Sequence, residues 1–441
     1  MNMYENKLNT PSGFRDLLPD EAVGREHIVE CITRVYKRFG FLPLETPVAE
    51  FENILLSESA SDFNVFRLES TNQRLSREKE DVALRFDLTV PLARVVSQYG
   101  NALPRPFKRY QSGYVFRGER PQKGRYRQFM QFDADIVGAK NIISDSEMIV
   151  MITEIMSELQ VSDFIVRVNT RTILNTLPEF IGFPQNILRE VLVVLDKAEK
   201  ISGEELVEEL RRLRIAEDGI KKIQDFSNIA SKPQDALTQL RNFFGDYPVV
   251  QSGIQELEKI AEHLRDFNVE NLVIFDMKII RGFAYYTGPV FETNILSAPE
   301  FGSVISGGRY DNLVERFMSQ SLPAVGVSVG VDRLQTALHA RNTLVQNFQK
   351  ILVFSQVEYS SYVIQVAQTL GRNNDFVDIY QGSKKDFKDV FQYAESINAS
   401  HVVIVGAQEE EQKTVSVRNM SKRSQSLIPF AELTSYSFTN N

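Results

Sequence analysis

Residues 105–127, RPFKRYQSGYVFRGERPQKGRYR, carry eight Lys or Arg against a single acid, Glu119. The chain continues as QFMQFDAD and closes on Asp133 and Asp135. Side chains on a strand alternate faces with period two, so Arg127, Phe129, Gln131, Asp133 and Asp135 share one face. Gln128, Met130, Phe132, Ala134 and Ile136 take the other, which is apolar enough to bury. The first face would carry a cation at one end, an amide in the middle and carboxylates at the other end. Such a strip can hold an anion and a cation, or a hydrogen-bond donor, a few residues apart. From this strip alone, a solvated sheet face with surface ion pairs reads the same way.

Other stretches favour chemistry. LRFDLTVP (84–91) sets Asp87 and Thr89 on a turn after a strand, a common place for binding groups. IIRGFAYYTGPVFE (279–292) puts Arg281 beside a glycine in a run of small and aromatic residues. GGRYDNL (307–313) and AVGVSVGVDRL (324–334) add further glycines, with Arg309 and Arg333. Glycine allows the backbone to approach a ligand closely, and arginine recognises phosphate or carboxylate in plane.

The whole chain sets the bounds. At 441 residues, two or three domains are expected. Its 43% apolar and 24% charged content is that of an ordinary soluble globular protein. A net charge of −8 argues against binding nucleic acid across the whole surface. A local basic site remains open, because salt confines each charge to roughly 8–10 Å. Cys31 is the only cysteine, which excludes intrachain disulfides and thiolate zinc clusters. His27, His263, His339 and His401 stand singly, away from metal-ligand spacing, so no protein metal site is expected. There is no GxxxxGK[ST] loop, no GxGxxG after a strand and no GxSxG. A nucleotide would therefore be handled by side-chain cations. The N-terminus lacks a basic-then-apolar signal pattern and no apolar run reaches 18 residues, so a cytoplasmic location with no membrane contact is expected.

The elements that must position these residues follow from periodicity. DEAVGREHIVECITRVYKRFGF has helical spacing at Ile28, Ile32, Val35 and Phe39, with Asp20 as N-cap. FLPLETPVAEF reads as extended. Residues 82–99 read as a strand, a turn at Asp87–Pro91 and a helix with Pro91 in its first turn. YQSGYVFR and RYRQFMQFDADIV read as two strands around the loop GERPQKG. Asp145–Leu159 is a predicted helix and DFIVRVNT a strand. From Arg171 to Arg265 the pattern is mostly helical, and strands resume at NLVIFDM, GPVFETNIL and SVISGG. This order fits a helical insertion in a mostly antiparallel sheet domain. KILVFSQV, a helix to Gly371, FVDIYQG, a helix from Ser383 and HVVIVG then alternate, which predicts a small α/β domain with a parallel sheet. EEEQK, from Glu409, reads as a solvated turn.

At this point the residues resemble a family. FRGERPQKGRYRQFMQFDADIVG resembles motif 2 of the class II aminoacyl-tRNA synthetases, in the form found in histidyl-tRNA synthetases. VGVSVGVDRL resembles motif 3, and FGFLPLETPVAEF, with Pro47, resembles the weaker motif 1, which builds the family's dimer interface. LRFDLTVPLAR and RGFAYYTGPVFE are similar to two stretches specific to histidyl-tRNA synthetases, and PSGFRDLLPDEA matches their usual start. The resemblance covers nearly the whole chain. It implies an α+β catalytic domain on an antiparallel sheet (1–170 and 266–335), a helical insertion domain (171–265), a linker (336–349) and an α/β anticodon-binding domain (350–441). It also implies activation of L-histidine by ATP and transfer to the 3′ end of histidine tRNA, by a homodimer, with Mg²⁺ bound alongside ATP.

The family's site residues carry over position by position. Arg117 and Arg333 would bind the phosphates of ATP, with Glu119 and Arg125 near the nucleotide and Phe129 stacking on adenine. Arg281 matches the catalytic arginine and would contact both the α-phosphate and the substrate carboxylate. Asp87, Thr89 and Gln131 would hold the α-ammonium. Asp135 and Tyr286 would hydrogen-bond the imidazole, with Tyr285 and Tyr310 lining its pocket. Arg120 and Gln122 would meet the tRNA acceptor end. The chain departs from the family at Ala284, where an Asp or Glu usually flanks the catalytic arginine. One rival reading is a catalytically silent paralogue, the regulatory subunit of ATP phosphoribosyltransferase; such subunits typically lack the C-terminal domain and erode motif 2, and both are present here. A plain nucleic-acid-binding protein would explain the basic run but neither LRFDLTVP nor the Arg281 stretch.

Overall fold

The computed structural model describes residues 8–56, 64–69, 81–120, 124–198, 201–280, 286–312, 314–317, 321–341, 350–357, 360–374, 376–382 and 386–438. They fall into two compact units, Met1–Leu344 and Val345–Asn441.

The first unit opens with the helix Pro19–Arg38, which buries Ile28, Ile32 and Val35. Leu18 occupies the cap and Asp20 lies inside the first turn, so Asp20 is not the N-cap as its position suggested. Proline at the first helical position has its φ already set for a helix, and Asp20 and Glu21 then favour the positive end of the helix dipole.

The strands follow as β1 (Leu42–Pro43), β2 (Ala49–Phe51), β3 (Arg67–Leu68) and β4 (Val82–Leu84). After the helix Thr89–Tyr99 come the two long strands β5 (Phe107–Phe116) and β6 (Gln128–Val137). The helix Ile143–Glu158 leads to β7 (Phe164–Thr170). Helices then dominate to Asp266, broken by β8 (Ala230–Ser231). The unit closes with β9 (Val273–Asp276), β10 (Pro289–Ile295), β11 (Ser303–Arg309), β12 (Ala324–Gly330) and the helix Val331–Ala340.

The main sheet runs β1-β5-β6-β12-β11-β10-β7-β9-β8. From β5 to β7 every neighbouring pair is antiparallel. β2, β4 and β3 form a separate small antiparallel sheet. Phe132, Ala134 and Ile136 of β6 enter the main apolar core with Ile28, Ile32 and Met148, so the period-two assignment of this face holds. The helix Ile143–Glu158 is buried on most sides because it packs against both the sheet and the helices Pro19–Arg38 and Gln251–Asp266. Its unbroken apolar run Met148–Ile152 is what such a position requires. Ile173, Leu237 and Leu257 from the helical stretch share one continuous core with Val166 and Val168 of β7.

The second unit contains β13 (Lys350–Ser355), β14 (Phe376–Ile379), β15 (His401–Val405), β16 (Thr414–Asn419) and β17 (Gln425–Pro429), in the order β14-β13-β15-β16-β17. The first three are parallel, but β16 and β17 pair antiparallel, so the sheet is mixed rather than parallel. Alternation across β13 and β15 sends Ile351, Val353 and Val403 to one apolar cluster and Leu352, Phe354 and Val402 to another, which covers both faces. The run from Glu409 is not a turn: Ala407–Gln412 is a short helix. Glu409 fixes its start by accepting from Gly406 N at 3.0 Å and from Ser416 Oγ at 3.0 Å.

Candidate active site

The open face of β6 and β12 floors a cleft of about 380 Å³ in the first unit. Phe129, Gln131, Asp133 and Asp135 of β6 line it in that order, the consequence of strand alternation. Phe129 and Asp135 lie six residues apart on the strand. At roughly 3.3 Å per residue that separates the two ends by about 20 Å.

At the Phe129 end stand Arg117, Glu119, Arg125 and Arg333. Arg117 Nε donates to Phe86 O at 3.1 Å, and its guanidinium lies 5.1 Å from the Phe129 ring centroid. Arg333 Nη1 donates to Ser303 O at 2.7 Å. Just before Arg333, Asp332 is a buried clamp. Its Oδ2 accepts from Met130 N at 2.6 Å and its Oδ1 from Arg15 Nη2 at 2.8 Å. The N-terminal segment, β6 and the helix Val331–Ala340 thus meet at one carboxylate.

At the other end three buried carboxylates converge, Asp87, Asp133 and Asp135. Asp87 Oδ1 accepts from Val90 N at 3.0 Å, one of the free amides at the start of the helix Thr89–Tyr99. Asp135 Oδ1 accepts from the Tyr310 hydroxyl, and Arg109 Nη2 lies 2.7 Å from Asp135 Oδ2. Burial pushes all three carboxyl groups up from their ordinary range, Asp133 to about 7. Arg109 is the main opposing charge for Asp133 and Asp135. Gln131 Nε2 donates to Ser328 Oγ at 2.6 Å. Gln131 Oε1 and Asp133 Oδ1 are buried acceptors that no donor among the described residues reaches. Buried acceptors are normally satisfied, so these two suit donors brought by a ligand.

Every sequence-predicted site residue that the structure describes, except Arg120, lines this one cleft: Asp87, Thr89, Arg117, Glu119, Arg125, Phe129, Gln131, Asp135, Tyr286, Tyr310 and Arg333. Arg120 is exposed and lies outside the lining. Arg281, Tyr285, Ala284 and Gln122 fall outside the described residues.

Two arginines depart from expectation. Arg127 precedes β6 and turns from the shared face; its Nε donates to Glu119 O at 3.0 Å and its Nη1 to Ser12 O at 3.3 Å. Arg309 recognises a carboxylate, but the protein's own. Its Nε donates to Asp145 Oδ1 at 3.0 Å and its Nη2 pairs with Asp145 Oδ2. Burial pushes Asp145 up to about 6 against the pull of Arg309.

Arg109, Ser328 and Gly326 were missing from the predicted site, and Asp133 was placed on its face without a role. The register brings them in: Arg109 and Gly326 flank Asp135, while Gln111 and Ser328 flank Asp133. A Cβ at Gly326 would sit 2.0 Å from Asp135 Oδ1, so the glycine makes room for that carboxylate. Glycine in an alternating strand was the available signal, but without the pairing it had no partner to name.

Comparison with known proteins agrees with this geometry. A family model described as histidyl-tRNA synthetase matches residues 13–334, and one described as an anticodon binding domain matches residues 347–437. The chain belongs to the histidyl-tRNA synthetase family. It is 38% identical over 422 residues to the histidine–tRNA ligase of Helicobacter pylori (strain HPAG1), covering 93% of each chain. It is 37% identical to that of Clostridium tetani, covering 95% of each. The crystal structure of histidyl-tRNA synthetase from Nostoc sp. PCC 7120 superposes with a TM-score of 0.86 at 30% identity, covering 97% of this chain and 98% of that one. The sheet of this histidyl-tRNA synthetase family member is thus the class II catalytic sheet, and the second unit is its anticodon-binding domain. Among the described residues no helix is long and apolar enough to cross a membrane.

Proposed function

We propose that the protein is a histidine–tRNA ligase that joins L-histidine to ATP, releasing pyrophosphate, and then passes histidine to the 3′ end of histidine tRNA. The observation that carries this reading is one sheet face with arginines at one end and buried carboxylates with unpartnered acceptors at the other. ATP is polyanionic and takes the arginine end. The α-ammonium of histidine brings donors and positive charge, which suit Asp87, Thr89, Gln131 and Asp133. Asp135 and Tyr286 take the imidazole, with Tyr310 and Tyr285 around it.

Arg117 and Arg333 hold the phosphates, Glu119 and Arg125 flank the nucleotide, and Phe129 stacks on adenine. The histidine carboxylate is itself the nucleophile. It forms a bond to the α-phosphorus as the bond to pyrophosphate breaks, and the arginines stabilise the charge that builds on the phosphoryl oxygens. Arg281 bridges carboxylate and α-phosphate, which holds the reacting atoms in line. In the second step a hydroxyl of the tRNA terminal adenosine attacks the carbonyl carbon and AMP leaves. Arg120 and Gln122 meet the acceptor end. Pairing of both ring nitrogens rejects other amino acids, whose side chains would leave those groups unpaired.

Among the described residues no three His, Cys, Asp or Glu cluster as metal ligands. Mg²⁺ arriving with ATP needs only one or two protein carboxylates, and Glu119 lines the arginine end of the cleft. Glu119 would hold it, and the ion would offset phosphate charge. Leu42, Val48 and Phe51 of the motif 1 stretch are exposed apolar side chains, which supports a homodimer formed there. The helices between residues 171 and 265 are assigned as the insertion domain, and cytoplasmic placement follows from the reaction. Charging of histidine tRNA with labelled histidine tests the function. Uncharged tRNA together with stimulation of an ATP phosphoribosyltransferase would replace it with the regulatory reading.

A further inference from the structure

Arg109 is the largest fully buried side chain among the described residues, at 0% exposure. It projects from β5 directly beside Asp135 of β6. Its Nη2 donates to Leu88 O at 3.1 Å and lies 2.7 Å from Asp135 Oδ2 as an ion pair; among the described residues no hydrogen-bond partner reaches its Nε or Nη1, or Asp135 Oδ2. A buried guanidinium with two idle nitrogens is expensive to keep, and stability alone would be as well served by an apolar residue. It persists beside the carboxylate that faces the imidazole subsite. The opposite oxygen of that carboxylate is held by Tyr310, and Gly326 clears the space around it.

We propose that Arg109 is a specificity-determining positioning residue, which fixes Asp135 as an oriented, ionised acceptor for the ring N–H of histidine. The inference rests on the histidine-activation reading and deepens it. With the Tyr310 hydroxyl bonded to one oxygen and the Arg109 charge 2.7 Å from the other, the carboxylate plane has one favoured orientation. A ring N–H then has one direction of approach. Leu88 O ties the same guanidinium to the turn that carries Asp87 and Thr89, so the ring subsite and the ammonium subsite are set against each other. Without Arg109, Asp135 faces Asp133 and Asp87 with no internal cation beside it, and a neutral carboxyl or a rotated carboxylate replaces the acceptor.

The test is histidine-dependent ATP–pyrophosphate exchange on the full-length protein, with KM measured separately for histidine and ATP. Wild-type exchange is the reference; its absence would defeat the histidine-activation reading and not the role of Arg109. Arg109→Met is expected to raise KM for histidine roughly 10- to 100-fold, the range for a lost hydrogen bond to a charged group, with KM for ATP unchanged. Arg109→Lys, which returns the cation, is expected to recover most of the loss. Thermal melting of both variants guards against misfolding. Equal rises in both KM values, or a histidine KM left unchanged in Arg109→Met, would show that Arg109 only offsets buried charge and would overturn the proposal.

Discussion

A single missing Cβ decides whether Asp135 can occupy its place. At Gly326 a methyl group would lie 2.0 Å from Asp135 Oδ1. Gly326→Ala should raise KM for histidine at least roughly tenfold, as expected for displacing a charged hydrogen-bonding group. Overpacking should cost about 1–3 kcal/mol of stability as well. Exchange kinetics and denaturant unfolding check both, and a variant with unchanged histidine KM would contradict the placement. Asp133 makes a pH prediction. Burial holds its carboxyl at about 7 in the folded, ligand-free protein, while an unfolded Asp titrates near about 3.9. Between those values the folded state keeps a proton that the unfolded chain has lost, so this group's contribution falls as pH rises. Asp133→Asn cannot ionise, and its melting temperature relative to wild type should climb from pH 5 to pH 8; a constant difference would contradict the assignment. At this scale the sequence was legible where period two or a motif placed a side chain, as for Gln131 and Asp135. Arg109 was not, because its role depends on which residue lies opposite. Arg309 was misread because glycine neighbours suit any close packing, and here the carboxylate recognised is Asp145 on the helix Ile143–Glu158.

Among the elements, β6 and the helix Val331–Ala340 act as one piece because Asp332 joins them to each other and to Arg15. Arg15 also lies 4.2 Å from the ring centroid of Tyr126, which lines the cleft. Arg15→Ala should loosen the arginine end only. KM for ATP is expected to rise roughly fivefold, about 1 kcal/mol of binding, with KM for histidine unchanged. A change in the histidine KM instead would place the clamp at the wrong end of the cleft. Most elements were visible in advance, because the apolar alternation of β5 and β6 and the helical spacing before Gly40 leave little choice. Boundaries set by local hydrogen bonds were less visible. Pro19 displaced Asp20 from the cap, and Glu409 caps the start of a helix where charge density suggested a turn.

For the whole molecule, the two units have separate apolar cores. All the residues assigned to histidine and ATP lie in the first. A chain ending at residue 344 should retain histidine-dependent exchange. Stacking of single-stranded bases is worth about 1–3 kcal/mol each, so loss of the anticodon-binding domain should reduce tRNA charging roughly tenfold or more. Equal loss of both activities would contradict this division. The mixed sheet of the second unit escaped the sequence reading because strand–helix alternation from residue 350 to 406 suggested a parallel sheet. Nothing in the composition of 414–429 states which way its strands pair.

The measurement that bears most directly on the whole account is ATP–pyrophosphate exchange by the purified full-length protein, run with each of the twenty amino acids in the absence of tRNA. The account predicts exchange with histidine alone. Folded protein that binds histidine yet exchanges with no amino acid, or exchange with an amino acid lacking a ring N–H, would contradict it.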